Sequence, residues 1–222
     1  TQRQIVGLLR DSTKAQFNDF IKAAVGRFID MMSFTRGRWI GLMEGDHRWT
    51  FEDGTTADQM IAEYMGAPFL GDAALIRISY PSISAAHPEA DCIIYSHHGI
   101  GSSRLAGGQL HRIEDLLKFI DADIYLMGHS HAKTSAPIDR MFITPDGVHA
   151  HRTKIIARTG AWIKSYLSQS PLDVTEPAVL SRATYAEKAA YAPVAMGGQA
   201  FGIGYEQIEG SAYFRPTIHY ST

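Results

Sequence analysis

The 222-residue sequence predicts an α/β fold, and three observations carry that prediction. Up to about residue 131, amphipathic helical stretches alternate with short apolar runs that read as buried strands. Beyond it the pattern turns strand-rich, with a hairpin signature and glycine-spaced strands. Three of the short apolar runs, ending at Met43, Tyr95 and Met127, empty into loops that carry histidine. Ligands gather at the carboxyl ends of strands in open α/β sheets.

The elements follow in order. Asp11 to Ser33 predicts the longest helix, with Phe17, Phe20, Ile21, Ala24, Phe28 and Met32 at three- and four-residue steps forming one apolar stripe. Asp11 or Ser12 can cap its start. Trp39 to Met43 reads as a strand that discharges into Glu44-Gly45-Asp46-His47-Arg48-Trp49. Asp53-Gly54 marks a turn. Thr56 to Met65 is a short helix with Met60, Ile61 and Tyr64 on one side, and Ala74 to Ile78 a strand. Pro81 to Glu89 is loop. Cys92 to Tyr95 is a strand running into Ser96-His97-His98-Gly99. A glycine- and serine-rich segment with one base, Arg104, precedes a helix set by Leu110, Ile113, Leu117 and Ile120. Ile124 to Met127 is a strand leading into Gly128-His129-Ser130-His131.

Ile138 to Thr144 and Val148 to Thr153 flank Pro145-Asp146-Gly147 and predict a hairpin, with Lys154 to Arg158 continuing the sheet. Ser168 to Pro177 reads as loop and Ala183 to Tyr191 as a short helix. The glycines at 197, 198, 202 and 204 precede no helix and read as turns and close sheet packing. Thr217 to Tyr220 closes the sheet. No repeat, low-complexity tract or linker asks for a boundary, so the expectation is a single domain over residues 1–222.

Hydrophobic residues make up 45% of the chain, enough for a sizeable core. A formal charge of -2 gives no basic field for nucleic acid and no acidic tail. No apolar run reaches membrane-spanning length. One cysteine, Cys92, excludes an internal disulfide framework, fits a reducing, cytoplasmic compartment, and reads as a buried structural thiol.

If the three histidine-bearing strands are neighbours, Asp46, His47, His97 or His98, His129 and His131 converge. Oxygen with several imidazoles suits Mn, Fe, Ni or Zn rather than Ca or Mg. The absence of cysteine ligands points to a catalytic rather than a structural site.

The order Gly-Asp-His, then His-Gly, then Gly-His-Ser-His resembles the second half of the calcineurin-like metallophosphoesterase signature, over roughly Trp39 to Lys133. The Arg104 loop and Thr159-Gly160 are similar to phage-encoded members. The resemblance implies a four-layer α/β/β/α sandwich with two metals at the loop ends of two central sheets. It implies Asp46, His98 and His129 as ligands of one metal and His131 as a ligand of the other. His47 would meet the phosphoryl oxygen or protonate the leaving group, and Arg48 and Arg104 would contact a phosphate. The implied partner is a phosphate ester, including a nucleotide or nucleic acid.

Two positions depart from that signature. Asp46 stands where the family has asparagine, which adds a negative charge to the ligand set. Arg48 replaces an acidic residue. No Asp-x-His occurs in the chain, and Gly71-Asp72 follows Asp46 rather than preceding it. The expectation is therefore a metallophosphoesterase whose amino-terminal motifs lie outside this sequence. The alternative expectation is a catalytically inactive fragment, or a scaffold that binds a metal or a partner. His149 and His151 in the hairpin, His87 and His111 read as surface or packing residues, His97 as core or outer support, and Trp162, Tyr166 and Tyr191 as core or half-buried.

Overall fold

The protein is described by a computed structural model that covers residues 11–81, 90–101, 103, 106–163, 166, 186 and 193–221. It is a mixed α/β molecule, and its contacts group into two compact units, residues 1–74 and 75–222.

In the first unit, helix α1 spans Asp11–Met32. Its buried face centres on Val25 and Ile29, not on the expected stripe, since Phe20 is 68% exposed. Phe17 stacks on Trp49 with ring centroids 5.8 Å apart, and the Trp49 indole donates to Asn18 Oδ1 at 2.9 Å. Apolar residues occupy more than one face of this helix, so spacing alone left its rotation open. Strand β1 is only Leu42–Met43 and pairs in parallel with β2, Phe69–Gly71. The expected strand from Trp39 is shortened because Trp39 Nε1 donates to Thr35 Oγ1, tying that stretch to the 3-10 turn Ser33–Thr35. Helix α2, Ala57–Met65, begins with a full capping box between Thr56 and Gln59 and ends at Gly66 in the left-handed conformation. It buries Ala62 and Met65 and leaves Tyr64 exposed, again one step round from the expected face.

The second unit is built on a six-stranded sheet. Its strands are β3 (Ala73–Tyr80), β4 (Ala90–His97), β5 (Ile124–Met127), β6 (Lys133–Ile143), β7 (His149–Ala161) and β8 (Gly197–Gly198). The path runs β3-β4-β5-β7-β6, with β8 on β7. Strands β4, β5 and β7 are parallel neighbours, while β6 and β7 form the expected hairpin. Helix α3, Ala106–Leu116, connects β4 to β5.

Alternation along β4 and β5 sends side chains to two cores. On one face Ile113 of α3 meets Tyr125, Met127 and Ile156. On the other, Cys92, Ile94 and Ile124 are covered by Phe201, Ile203 and Ile218. Those residues belong to an antiparallel ribbon of β9 (Phe201–Gln207) and β10 (Phe214–Tyr220). The unit therefore has three layers: helix, sheet, ribbon. Burial pushes the Cys92 thiol up to about 12, helped by the Asp123 charge, which makes it the inert core thiol its sequence context suggests.

The glycine-spaced segment packs closely as expected. A Cβ on Gly160 would lie 2.3 Å from the Gly197 carbonyl oxygen, and one on Gly204 would lie 2.8 Å from Thr217 Oγ1. Trp162 corrects the expectation of burial: it is 83% exposed, just past the paired end of β7. The readings for Pro81 to Glu89, Ser168 to Pro177, Ala183 to Tyr191 and His87 fall largely or wholly outside the described residues. Among the described residues no helix is long and apolar enough to cross a membrane.

Candidate metal centre

The two histidine loops of the second unit leave adjacent parallel strands at the same end. The ladder pairs His97 with Met127, so His98-Gly99 and Gly128-His129 emerge side by side. Polar Ser96 and His97 extend β4 beyond its apolar run because Leu126 and Met127 offer them ladder partners. The loops then touch backbone to backbone. A Cβ on Gly128 would sit 3.0 Å from the His98 carbonyl oxygen. Gly99 has φ +101, and a Cβ there would meet Met127 Cγ at 2.7 Å and the Gly128 carbonyl oxygen at 2.9 Å. Only glycine fits both positions without displacing the other loop.

That close approach brings two imidazoles together. His98 Nε2 and His129 Nδ1 are 3.3 Å apart, with the rings nearly perpendicular and their centroids 5.4 Å apart. The separation is long for a hydrogen bond. It matches two nitrogens sharing one cation: ligand bonds of about 2.1 Å, at angles between octahedral and tetrahedral, put the nitrogens about 3.0–3.4 Å apart. The donor set therefore fits a divalent ion of the Mn–Zn series.

The His-x-His loop is held in an uncommon backbone conformation. His129 at φ +68 and His131 at φ +59 are the non-glycine residues with positive φ among those described. Each costs roughly 1–2 kcal/mol relative to the right-handed region. The Ser130 amide donates to the Gly128 carbonyl at 2.8 Å, closing a tight three-residue turn centred on His129. Such strain persists only where surroundings over-determine it.

Arg158 supplies that determination. It is 2% exposed at the end of β7's buried run, donating from Nε to the Gln109 carbonyl at 2.7 Å and from a terminal nitrogen to the Gly128 carbonyl at 2.9 Å. Desolvation, then the nearby Arg112 charge, lowers its pKa. Sequence reading missed Arg158. The available signal was a charged residue closing the apolar run Ile155-Ile156-Ala157 on a central strand.

His97 points away from the pair. It lies on the helix-side face of β4, and its Nδ1 accepts from the Gly99 amide at 2.7 Å, bracing the turn that presents His98. His131 is exposed. His149 and His151 lie exposed on β7, and His111 is exposed, 3.5 Å from Glu114. These three take the surface roles expected of them.

The remaining expected site residues lie in the first unit or outside the described chain. Asp46 and His47 occupy an exposed turn after β1, with the His47 side chain 94% exposed and its Nε2 3.8 Å from Asp46 Oδ1. Strand β1 pairs with β2 in a two-stranded sheet, outside the hydrogen-bonded path that joins β4 and β5. Arg48 turns back on its own loop, with Nε 3.2 Å from Glu44 Oε1 and a terminal nitrogen donating to the Gly45 carbonyl at 3.3 Å. Asp58 accepts from the Gly45 amide at 2.9 Å, and the Glu44 amide donates to the Gly71 carbonyl at 2.8 Å. Buried Glu44 and half-buried Asp58 thus shape this loop, a role the motif order did not reveal. Arg104 lies outside the described residues.

No protein-family model, no curated protein and no solved structure matches the chain.

Proposed function

We propose that the protein is a metal-dependent hydrolase of phosphate mono- or diesters, with His98 and His129 holding a divalent ion of the Mn, Fe, Ni or Zn class. The observation that carries this reading is the 3.3 Å approach of His98 Nε2 to His129 Nδ1 on two loops locked together by glycine contacts. Asp46, as a further ligand, and His131, as a ligand of a second ion, rest on the order of motifs along the chain, as does the four-layer sandwich. A reducing, cytoplasmic setting rests on the single buried cysteine.

A divalent ion supplies Lewis acidity toward a phosphoryl oxygen and an activated water as nucleophile. The chain's own residues divide the other work. His97 braces the turn that presents His98, and Arg158 the turn that presents His129. Gly99 and Gly128 let the two loops approach without displacing each other. The roles of His47 as proton donor to the leaving oxygen and of Arg48 and Arg104 as phosphate contacts rest, like that of Asp46, on the order of motifs along the chain. The substrate is a phosphate ester, a nucleotide or nucleic acid among the options.

The test is hydrolysis of an aryl phosphodiester with added manganese. The double variant His98→Ala/His129→Ala is expected to lose at least a hundredfold in rate, about 3 kcal/mol of barrier. Equal rates for the variant and the parent chain would sink the proposal.

One observation favours a second reading, a metal-binding scaffold without turnover. The His47 side chain is 94% exposed with its Nε2 3.8 Å from the Asp46 carboxylate, a loose hold for a general acid. Calorimetry with manganese or zinc separates the two. Metal uptake abolished in the double variant, with no hydrolysis in either chain, assigns the scaffold role.

A further inference from the structure

We propose that a groove at the opposite end of β5 from the histidine pair binds a small organic oxyanion, a phosphate or carboxylate carried on a planar apolar body. This does not rest on the metal reading. The groove encloses about 350 Å³ between the segment following α3 and the β6–β7 hairpin, within the lower range for small-molecule sites. Its cations are Lys118, Arg140, Arg152 and Lys154, facing one lining carboxylate, Asp121.

Among the described residues, ion pairs take up Lys118, Arg152 and Lys154 and leave Arg140 for an anion. Arg140 and Arg152 are direct partners across the antiparallel ladder, and like charges so placed repel. Lys154 lies two residues along from Arg152 on the same face, with its side chain only 6% exposed. Asp121 pairs with both Arg152 and Lys154. Its own side chain is 75% exposed, so it sits at the mouth and can be displaced. Buried Asp123 lies 3.6 Å from Arg152, while Lys118 pairs outward with Asp115. Arg140 makes no ion pair among the described residues.

The walls select the body of the ligand. Phe119 and Met141 are largely exposed, and Phe142 lies beneath the Arg152 guanidinium at 5.8 Å from ring centroid to Cζ. Two guanidinium forks suit bidentate recognition of a phosphate or carboxylate, and the aromatic and thioether surfaces suit a ring attached to it.

Calorimetric titration of phenyl phosphate into the full chain with a chelator present tests this, with benzoate and inorganic phosphate run beside it. Saturable binding of phenyl phosphate at one site is expected, with inorganic phosphate at least tenfold weaker for want of a ring. Tighter binding of benzoate than of phenyl phosphate assigns the groove to carboxylates, and the reverse order to phosphates. Arg140→Gln, on the exposed edge strand, should weaken binding about tenfold. Asp121→Asn should tighten it several-fold by removing the competing carboxylate, a gain that damage to the fold cannot produce. The His98→Ala/His129→Ala variant should bind unchanged. The proposal is overturned by no saturable binding of either ring compound, by affinity indifferent to Arg140→Gln, or by loss of binding in the histidine variant.

Discussion

At its carboxyl end, β5 runs into a loop where two imidazoles face each other over glycine backbones, with one buried guanidinium beneath. At its amino end, Asp121 and Asp123 meet Arg152 and Lys154 in a lattice of ion pairs, and the Tyr125 hydroxyl donates to the Ile120 carbonyl and accepts from the Ala122 amide. Both ends bury charge on the same central strands. They differ in what satisfies it. The amino end balances side chain against side chain. At the carboxyl end Arg158 donates to two backbone carbonyls, so it shapes the loop that presents His129. A buried cation thus acts as a brace at one end of the sheet and as part of a polar network at the other.

The largest effect should come from the brace. Arg158→Met strands the Gln109 and Gly128 carbonyls and is expected to cost about 3 kcal/mol in urea unfolding. It should also weaken manganese binding more than tenfold, since the turn that presents His129 loses its anchor. Undiminished metal affinity in a folded variant would mean that the loop holds its shape without Arg158.

The amino end should respond more mildly. Asp123 Oδ2 accepts from the Ile93 amide at 2.8 Å, while its other oxygen has no hydrogen-bond partner among the described residues. Desolvation raises its pKa against the opposing pull of the Ile93 amide and the cations. A carboxyl raised in the folded state is stabilising when protonated, so its contribution is complete below about pH 4 and declines as pH rises through the folded value. Asp123→Asn keeps an acceptor for Ile93 and should be neutral or stabilising at pH 7, losing any advantage in acid. Asp123→Ala should cost about 1–3 kcal/mol at pH 7 by leaving the amide unpaired. Asn and Ala variants of equal stability would show that the buried acceptor carries no weight.

The smallest effect lies in the hairpin turn, away from both ends. Asp146 accepts from the Ser211 and Thr144 hydroxyls and the Ala212 amide, clasping the β6–β7 turn to the turn between β9 and β10. Those hydrogen bonds, Ser211 first, bring its carboxyl down to about 2. The sign is opposite to that at Asp123: the contribution is present above about pH 4 and is lost as pH falls toward 2. The urea midpoint of the parent chain should drop between pH 4 and pH 2 by more than that of Asp146→Asn. Parallel acid profiles would remove Asp146 from the account.

Much of the second unit was legible because its signals were local. A four-residue apolar run located β5 to the residue, and Pro145-Asp146-Gly147 between alternating segments located the hairpin, with Gly147 at φ +86. The histidine pair was legible for the same reason, since each loop directly follows a strand with a clear apolar run. The first unit was harder. Helix α1 carries apolar residues around much of its circumference, so its existence was plain and its buried face was not. Strand β1 looked as apolar as β5 but pairs over two residues only, because the segment before it is held by Trp39 and Thr35.

The sequence by itself determined the α/β class, the order of most described elements and the pairing of two histidine loops at strand ends. These depend on side-chain periodicity and on residues adjacent in the chain. Only the tertiary structure decided how closely His98 and His129 approach, that β1 pairs with β2 alone, and that Arg158 holds the loop from below. Those facts depend on contacts between residues tens of positions apart, whose register no local pattern encodes. What the structure sharpened most is the pair itself: two imidazoles at a cation-sharing distance, kept there by two glycines and a buried arginine.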